Sequence, residues 1–193
     1  MNQEQLSKRA AVFLDKDGTL IKDVPYNVDV NRIELFPDAI PALQRITDND
    51  YELVIISNQS GVALGKFEEA ELINVEAHLC QILREAGLVL SGFYYCPHHM
   101  DGSRMEYAKV CDCRKPRPGL LRRAAAELQL DLGTSWMVGD ILNDVEAGRR
   151  AGCRTVLIDN GGETEWRQSA LRTPDAIVRT LHDAAAHICG QQE

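Results

Sequence analysis

Asp15 and Asp17 stand two residues apart at the end of the apolar run Ala11-Val12-Phe13-Leu14, with Lys16 between them and Gly18 directly after. Side chains alternate along a strand, so at a strand-to-loop exit both carboxylates reach one pocket while glycine lets the backbone bend freely. Two close anions at the carboxyl end of a buried strand repel each other. A Mg²⁺ site requires that arrangement, whereas a purely structural turn has no use for it. One carboxylate of such a pair can attack an electrophile and the other can move a proton. A second constellation is soft: Cys96, His98, His99, Cys111 and Cys113 fall in the pattern C-x-H-x12-C-x-C, either histidine being available. A disulfide is disfavoured in a reducing cytoplasm, and three thiolates with one imidazole make a closed tetrahedral Zn²⁺ set, structural because it leaves no position for water. Arg114 and Lys115 follow Cys113 directly, so clamping Cys113 fixes two cations, one a fork for oxygens and one a point charge. Cys80 and Cys153 lie in or beside helical segments and read as small apolar packing residues.

The elements that must position these residues alternate. Leu53 to Ile56 is a β-branched run ending in Ser57-Asn58-Gln59-Ser60-Gly61, and Trp136 to Val138 ends in Gly139-Asp140. Apolar spacing predicts helices over Pro37 to Ile46, Phe67 to Ala86, Pro118 to Leu128 and Val145 to Ala151, a strand over Thr155 to Ile158, and a terminal helix over Pro174 to Cys189. Such alternation predicts an α/β fold with a mainly parallel sheet, whose ligands bind beyond the carboxyl ends of the strands. Asp15, Ser57 and Asp140 all occupy such ends, so three distant pieces of sequence converge on one cleft. The Ser57 hydroxyl and nearby amides can hold a transferring oxygen there. Asp144, one helical turn after Asp140, reads equally as a supporting carboxylate and as a favourable charge at a helix N-terminus.

With 193 residues the chain is expected to form one domain, residues 1–193, with a zinc loop over 96–113. Its 45% apolar and 26% charged residues fit a soluble globular protein, and its apolar runs fall far short of the roughly 20 residues that span a membrane. Met1 to Ala10 is polar and lacks the apolar centre of a secretory signal, which makes a cytoplasmic location the expectation. A net charge of −8 argues against nucleic acid as a partner, so anion recognition must be local. Arg122 and Arg123 read as a solvated helix face.

Asp15-Lys16-Asp17-Gly18-Thr19 resembles the first motif, D-x-D-G-T, of the haloacid dehalogenase superfamily of phosphotransferases and phosphatases. Ser57-Asn58, Arg114-Lys115-Pro116 and Gly139-Asp140 with Asp144 follow in the order of its remaining motifs. Tyr94-Tyr95-Cys96-Pro97-His98-His99, Cys111-Asp112-Cys113-Arg114-Lys115-Pro116 and Ser57-Asn58-Gln59-Ser60-Gly61 together resemble the D-glycero-D-manno-heptose 1,7-bisphosphate 7-phosphatase family, which is related to histidinol-phosphatase domains. The resemblance implies a Rossmann-like three-layer sandwich without a large cap domain, with the zinc loop and Val24 to Leu35 as the walls that select substrate. It implies Asp15 as nucleophile, Asp17 as acid and base, and Mg²⁺ on Asp15, Asp17 and Asp140. It favours His98 over His99 as the fourth zinc ligand, with Cys96, Cys111 and Cys113. It also implies that Asp23, Asn27, Ser57, Asn58, Gln59, Ser60, Arg114 and Lys115 contact a small phosphorylated sugar, that the protein is a monomer, and that it removes the 7-phosphate in ADP-heptose and lipopolysaccharide core precursor biosynthesis. Two positions depart from the family pattern: Leu64 and Ile141 stand where arginine and lysine are frequent, leaving Lys66 as a nearby substitute. A histidinol-phosphate phosphatase, favoured by acidic Asp23 and Asp29, and a silent phospho-ligand binding module are the competing readings.

Overall fold

The computed structural model describes residues 9–190. The polar N-terminal segment that sets the expectation about a secretory signal therefore lies outside the described residues up to position 8. Six strands form one sheet: β1 (Ala11–Leu14), β2 (Glu52–Asn58), β3 (Leu90–Cys96), β4 (Trp136–Gly139), β5 (Arg154–Ile158) and β6 (Ala176–Val178). Their order is β3-β2-β1-β4-β5-β6 and every pairing is parallel. Five α-helices, α1 (Ala39–Thr47), α2 (Glu71–Glu85), α3 (Gly119–Leu128), α4 (Leu142–Ala151) and α5 (Leu181–Cys189), cover the two faces.

The two-residue period of β1 shows how the layers arise. Val12 and Leu14 point into a core shared with Ala42, Leu43 and Ile46 of α1, Val75, Leu79 and Leu83 of α2, and Leu181, Ala184 and Ile188 of α5. Ala11 and Phe13 point the other way, against Leu120, Leu121 and Ala124 of α3 and Ala147 of α4. Both faces of β1 are buried, as a parallel sheet between helical layers requires. The result is the expected three-layer α/β/α sandwich, and no inserted cap domain interrupts the described residues. No helix among them is long and apolar enough to cross a membrane.

Strand order reverses between β1 and β4, the place where an open parallel sheet leaves a crevice for ligands. Asp15 and Asp140 leave the sheet on either side of it, and the Asp15 amide donates to the Val138 carbonyl across the gap at 2.9 Å. The terminal segment differs from expectation. Pro174 to Cys189 is not one helix: Ala176–Val178 pairs with β5 as an edge strand, and the helix starts only at Leu181, where the Thr180 side chain caps the Asp183 amide. A three-residue edge strand with Ile177 57% exposed leaves too little alternation to be read beside a strong helical pattern. β3 was likewise not anticipated; Ser91 and Gly92 dilute its β-propensity and most of it is only half-buried.

Candidate active site and metal centre

The carboxyl ends of β1, β2 and β4 enclose a cleft of about 490 Å³ lined by Asp15, Asp17, Asp23, Ser57, Asn58, Ser60, Arg114, Lys115 and Asp140, together with Gly18, Phe36, Ile141, Asn143, Asn160 and Gly162. The buried Lys115 organises it. Its Nζ donates to Asp15 Oδ1 at 2.5 Å and to the Ile56 carbonyl at 2.8 Å, and lies 2.6 Å from Asp144 Oδ1. Burial alone would lower the Lys115 pKa; the charges of Asp144 and Asp15 override it and raise the pKa. Asp144 is fully buried, and its Oδ2 also accepts from the Ile141 amide at 3.3 Å. It serves both of the roles that its position in the sequence suggested, holding Lys115 and starting α4.

Asp15, Asp140 and Asp144 place carboxylate oxygens within 4.8 Å of one another. Burial pushes the Asp15 carboxyl up to about 7, with Lys115 opposing and Asp144 and Asp17 reinforcing the rise. Burial pushes Asp140 up to about 8, with Asp15 and Asp144 adding to the rise. One lysine does not neutralise three buried carboxylates, so the site has the hard oxygen donors and the surplus negative charge that suit a divalent cation. Gly18 and Gly162 keep Asp140 accessible: a Cβ on either would lie 2.2 or 2.1 Å from Asp140 Oδ2. Gly18 also has φ +80°, where side chains are disfavoured.

These raised values set a pH dependence. Between the ordinary carboxylate value of 3.8 and about 7 to 8 the native state binds more protons than the unfolded chain, so stability falls as pH rises through that window. Denaturant titrations in chelator are expected to show the protein less stable at pH 8 than at pH 5. Added Mg²⁺ should stabilise it more at pH 8, where the carboxylates are free of protons; a Mg²⁺ effect that is larger at pH 5 would contradict this charge balance.

The expected contacts divide into those that face the cleft and those that stand behind it. Asn58 clamps the main chain of Lys115, its Nδ2 donating to the Lys115 carbonyl at 3.1 Å and its Oδ1 accepting from the Lys115 amide at 3.0 Å. Gln59 does not line the cleft, and its amide is spent on Asp17 and Ser57. Asn27 also departs from expectation: its side chain closes its own turn with the Asp29 main chain, away from the cleft lining. Lys66 lies over the Tyr26 ring at 5.9 Å, and neither it nor Leu64 is among the residues that line the cleft. Ile141 does line it.

Sequence reasoning missed Asn160, whose Nδ2 donates to the Gly18 carbonyl at 2.7 Å. Asn160-Gly161-Gly162 follows β5 as a polar turn after an apolar strand, the same signal that marks Ser57 and Asp140. It also left Lys16 without a role, although this lysine is 1% exposed with Nζ 2.5 Å from Asp17 Oδ1.

Cys96, His98, Cys111 and Cys113 converge in the second cluster, with ligand atoms within 4.8 Å of one another. His98 Nδ1 faces Cys113 Sγ at 3.2 Å, while His99 Nδ1 accepts from the Asp101 amide at 3.2 Å and points elsewhere. Hydrogen bonding from Cys96 draws the Cys113 thiol down to about 5, against burial, with Cys111 and His98 assisting. A low-pKa thiolate among two thiols and an imidazole is a fitting donor set for a soft tetrahedral ion. The Arg114 guanidinium donates to the His98 carbonyl at 3.3 Å, which joins the cluster to the cleft. Glu69 accepts from the Tyr107 hydroxyl at 2.6 Å and Glu68 pairs with Arg104, docking the loop on the turn that precedes α2.

The Hydrolase_like (HAD-hydrolase-like) family model matches residues 112–184. D-glycero-beta-D-manno-heptose-1,7-bisphosphate 7-phosphatase of Escherichia coli (strain K12) is 37% identical over 183 residues, 95% of this chain and 95% of the relative. The protein of the same name from Pasteurella multocida (strain Pm70) is 42% identical over 154 residues, 79% of this chain and 83% of the relative. The chain belongs to this family of HAD phosphatases. A solved member, D,D-heptose 1,7-bisphosphate phosphatase from B. bronchiseptica complexed with magnesium and phosphate, superimposes with a TM-score of 0.76 at 29% identity, covering 94% of this chain and 99% of that one. As a heptose-bisphosphate phosphatase family member the chain is a phosphatase, and Asp15, Asp17, Ser57, Lys115 and Asp140 occupy one cleft, as its motif order requires.

Proposed function

We propose that this phosphatase removes the 7-phosphate of D-glycero-β-D-manno-heptose 1,7-bisphosphate through an aspartyl-phosphate on Asp15. The observation that carries the chemistry is the Lys115 bridge, which holds one oxygen of the Asp15 carboxylate at the mouth of the sheet, beside Asp17 and Asp140. The substrate is carried over from the names of the relatives. Asp15 attacks phosphorus, forming a bond to it as the bond to the sugar oxygen breaks, and the proton on Asp17 passes to the departing alkoxide. Asp17 then takes a proton from the water that attacks the aspartyl-phosphate, releasing inorganic phosphate and regenerating Asp15. The Ser57 hydroxyl donates to the equatorial oxygens, Lys115 stabilises them by its charge because its three N–H bonds face Asp15, Asp144 and the Ile56 carbonyl, and Arg114, Asp23 and Ser60 orient the sugar.

The oxygen set fits Mg²⁺, which the Asp15 carboxylate, the Asp17 main-chain carbonyl and Asp140 would hold. When bound, it screens the repulsion between anionic nucleophile and anionic ester. Zn²⁺ on Cys96, His98, Cys111 and Cys113 is structural in this reading. The protein acts as one catalytic domain, a monomer, in the cytoplasm.

Phosphate release with Mg²⁺ from heptose 1,7-bisphosphate, heptose 1-phosphate, histidinol phosphate and other sugar phosphates tests the assignment. The 7-phosphate of the bisphosphate is expected to be released fastest. Faster release from histidinol phosphate would replace the substrate assignment, with Ile141 and the acidic wall at Asp23 the first residues to examine.

A further inference from the structure

Gln59 is 6% exposed and lies behind the cleft, yet its side-chain amide touches two of the groups that line it. Nε2 donates to Asp17 Oδ2 at 3.1 Å and to Ser57 Oγ at 2.8 Å. Its own main-chain N–H donates to the Cys96 carbonyl at 2.8 Å, so the residue is anchored where β3 enters the metal cluster. An amide nitrogen only donates, so Ser57 Oγ accepts from Gln59 and keeps its own proton for another partner. Ser57 is buried and lines the cleft, and its hydroxyl donates to no acceptor among the described residues, so that proton is available to a ligand there. Asp17 is held from both sides, since Lys16 Nζ meets Oδ1 at 2.5 Å while Gln59 meets Oδ2.

We infer that Gln59 is a positioning residue: one buried amide aims the Asp17 carboxyl at the leaving oxygen and turns the Ser57 hydroxyl outward as a donor to the phosphoryl group. This rests on the reading of Asp17 as acid and base given above. A contact made only with substrate would place Gln59 in the cleft wall. Its two hydrogen bonds instead join the residue that moves the proton to the residue that binds the transferred group.

The test compares leaving groups. An alkoxide needs a proton as it departs, whereas p-nitrophenolate leaves without one, so a misplaced acid slows only the first. In single-turnover experiments Gln59→Met, which keeps the shape and removes the amide, should slow phosphoenzyme formation from heptose 1,7-bisphosphate by about 10²-fold, the scale of lost general-acid catalysis. The rate from p-nitrophenyl phosphate should fall by no more than about tenfold, the share expected from the unaligned Ser57 donor, with KM for the sugar within about threefold. Gln59→Leu also removes the amide, adds no charge and should discriminate in the same way; it carries the test if the methionine variant does not fold. Equal losses on both substrates, or a raised KM with kcat kept, would overturn the inference. Asp17→Asn separates this failure from a deeper one. If Asp17→Asn discriminates between the leaving groups and neither Gln59 variant does, only the positioning role falls; if Asp17→Asn does not discriminate, Asp17 is not the acid.

Discussion

Lys115→Met is expected to lower turnover by about 10³-fold, the scale seen when preorganised electrostatic stabilisation of a transition state is removed. The same substitution destabilises the fold, because it deletes the one cation that Asp15 and Asp144 share while leaving both carboxylates buried. Breaking a fully buried pair from one side costs roughly 3–5 kcal/mol. The loss depends on pH. Without Lys115 the Asp15 and Asp140 carboxyls, already near 7 and 8, rise further, and below those values they are neutral and need no partner. Denaturant unfolding should therefore show a large difference between the variant and the parent at pH 8 and a small one at pH 5. The double variant Lys115→Met with Asp144→Asn should recover much of the stability and none of the activity, since its buried charges are fewer but the phosphoryl group still lacks its cation. Equal destabilisation at both pH values would mean that Lys115 acts through packing.

Cys113→Ser, the second large effect, is expected to abolish the proposed zinc binding, lower Tm on the order of 10 °C and raise KM more than it lowers kcat. The split follows from two different clamps. Arg114 is held by the carbonyl of His98, a member of the Cys–His cluster, so it is expected to lose its place when the cluster opens. Lys115 has a second clamp in the paired hydrogen bonds of Asn58, which lie outside the cluster and stay in place. About a tenfold rise in KM with a smaller fall in kcat is the expected pattern, measured beside the zinc content of the purified protein. Stoichiometric zinc in the parent and its loss in the variant would accompany it. A metal-free parent with full activity would remove the cluster from the account.

What could be read from the sequence followed from how local each signal is. The meeting of Asp15, Asp17 and Asp140 in one cleft was legible because apolar strands that end in carboxylates and glycine deliver them to the same edge of a parallel sheet. The convergence of Cys96, His98, Cys111 and Cys113 was legible because C-x-H and C-x-C spacings bring such side chains together locally. The edge strand β6 was not, since its three residues carry no period and Ile177 faces solvent. Asn27 stands apart from the cleft lining because a short polar side chain next to Asp29 finds a partner in its own turn. The hidden roles of Lys16 and Gln59 are tertiary: nothing in their neighbours says that both fold back onto the same carboxylate.

The most direct test of the central claim is chemical trapping of the phosphoenzyme. The protein is mixed with Mg²⁺ and heptose 1,7-bisphosphate, quenched in acid during turnover, reduced with borohydride and mapped by peptide mass. An acyl phosphate on an aspartate is reduced to homoserine, and the account predicts that conversion at position 15, dependent on substrate and absent from an inactive Asp15→Asn variant. Steady phosphate release with Asp15 unmodified, or homoserine at position 17 in its place, would contradict it.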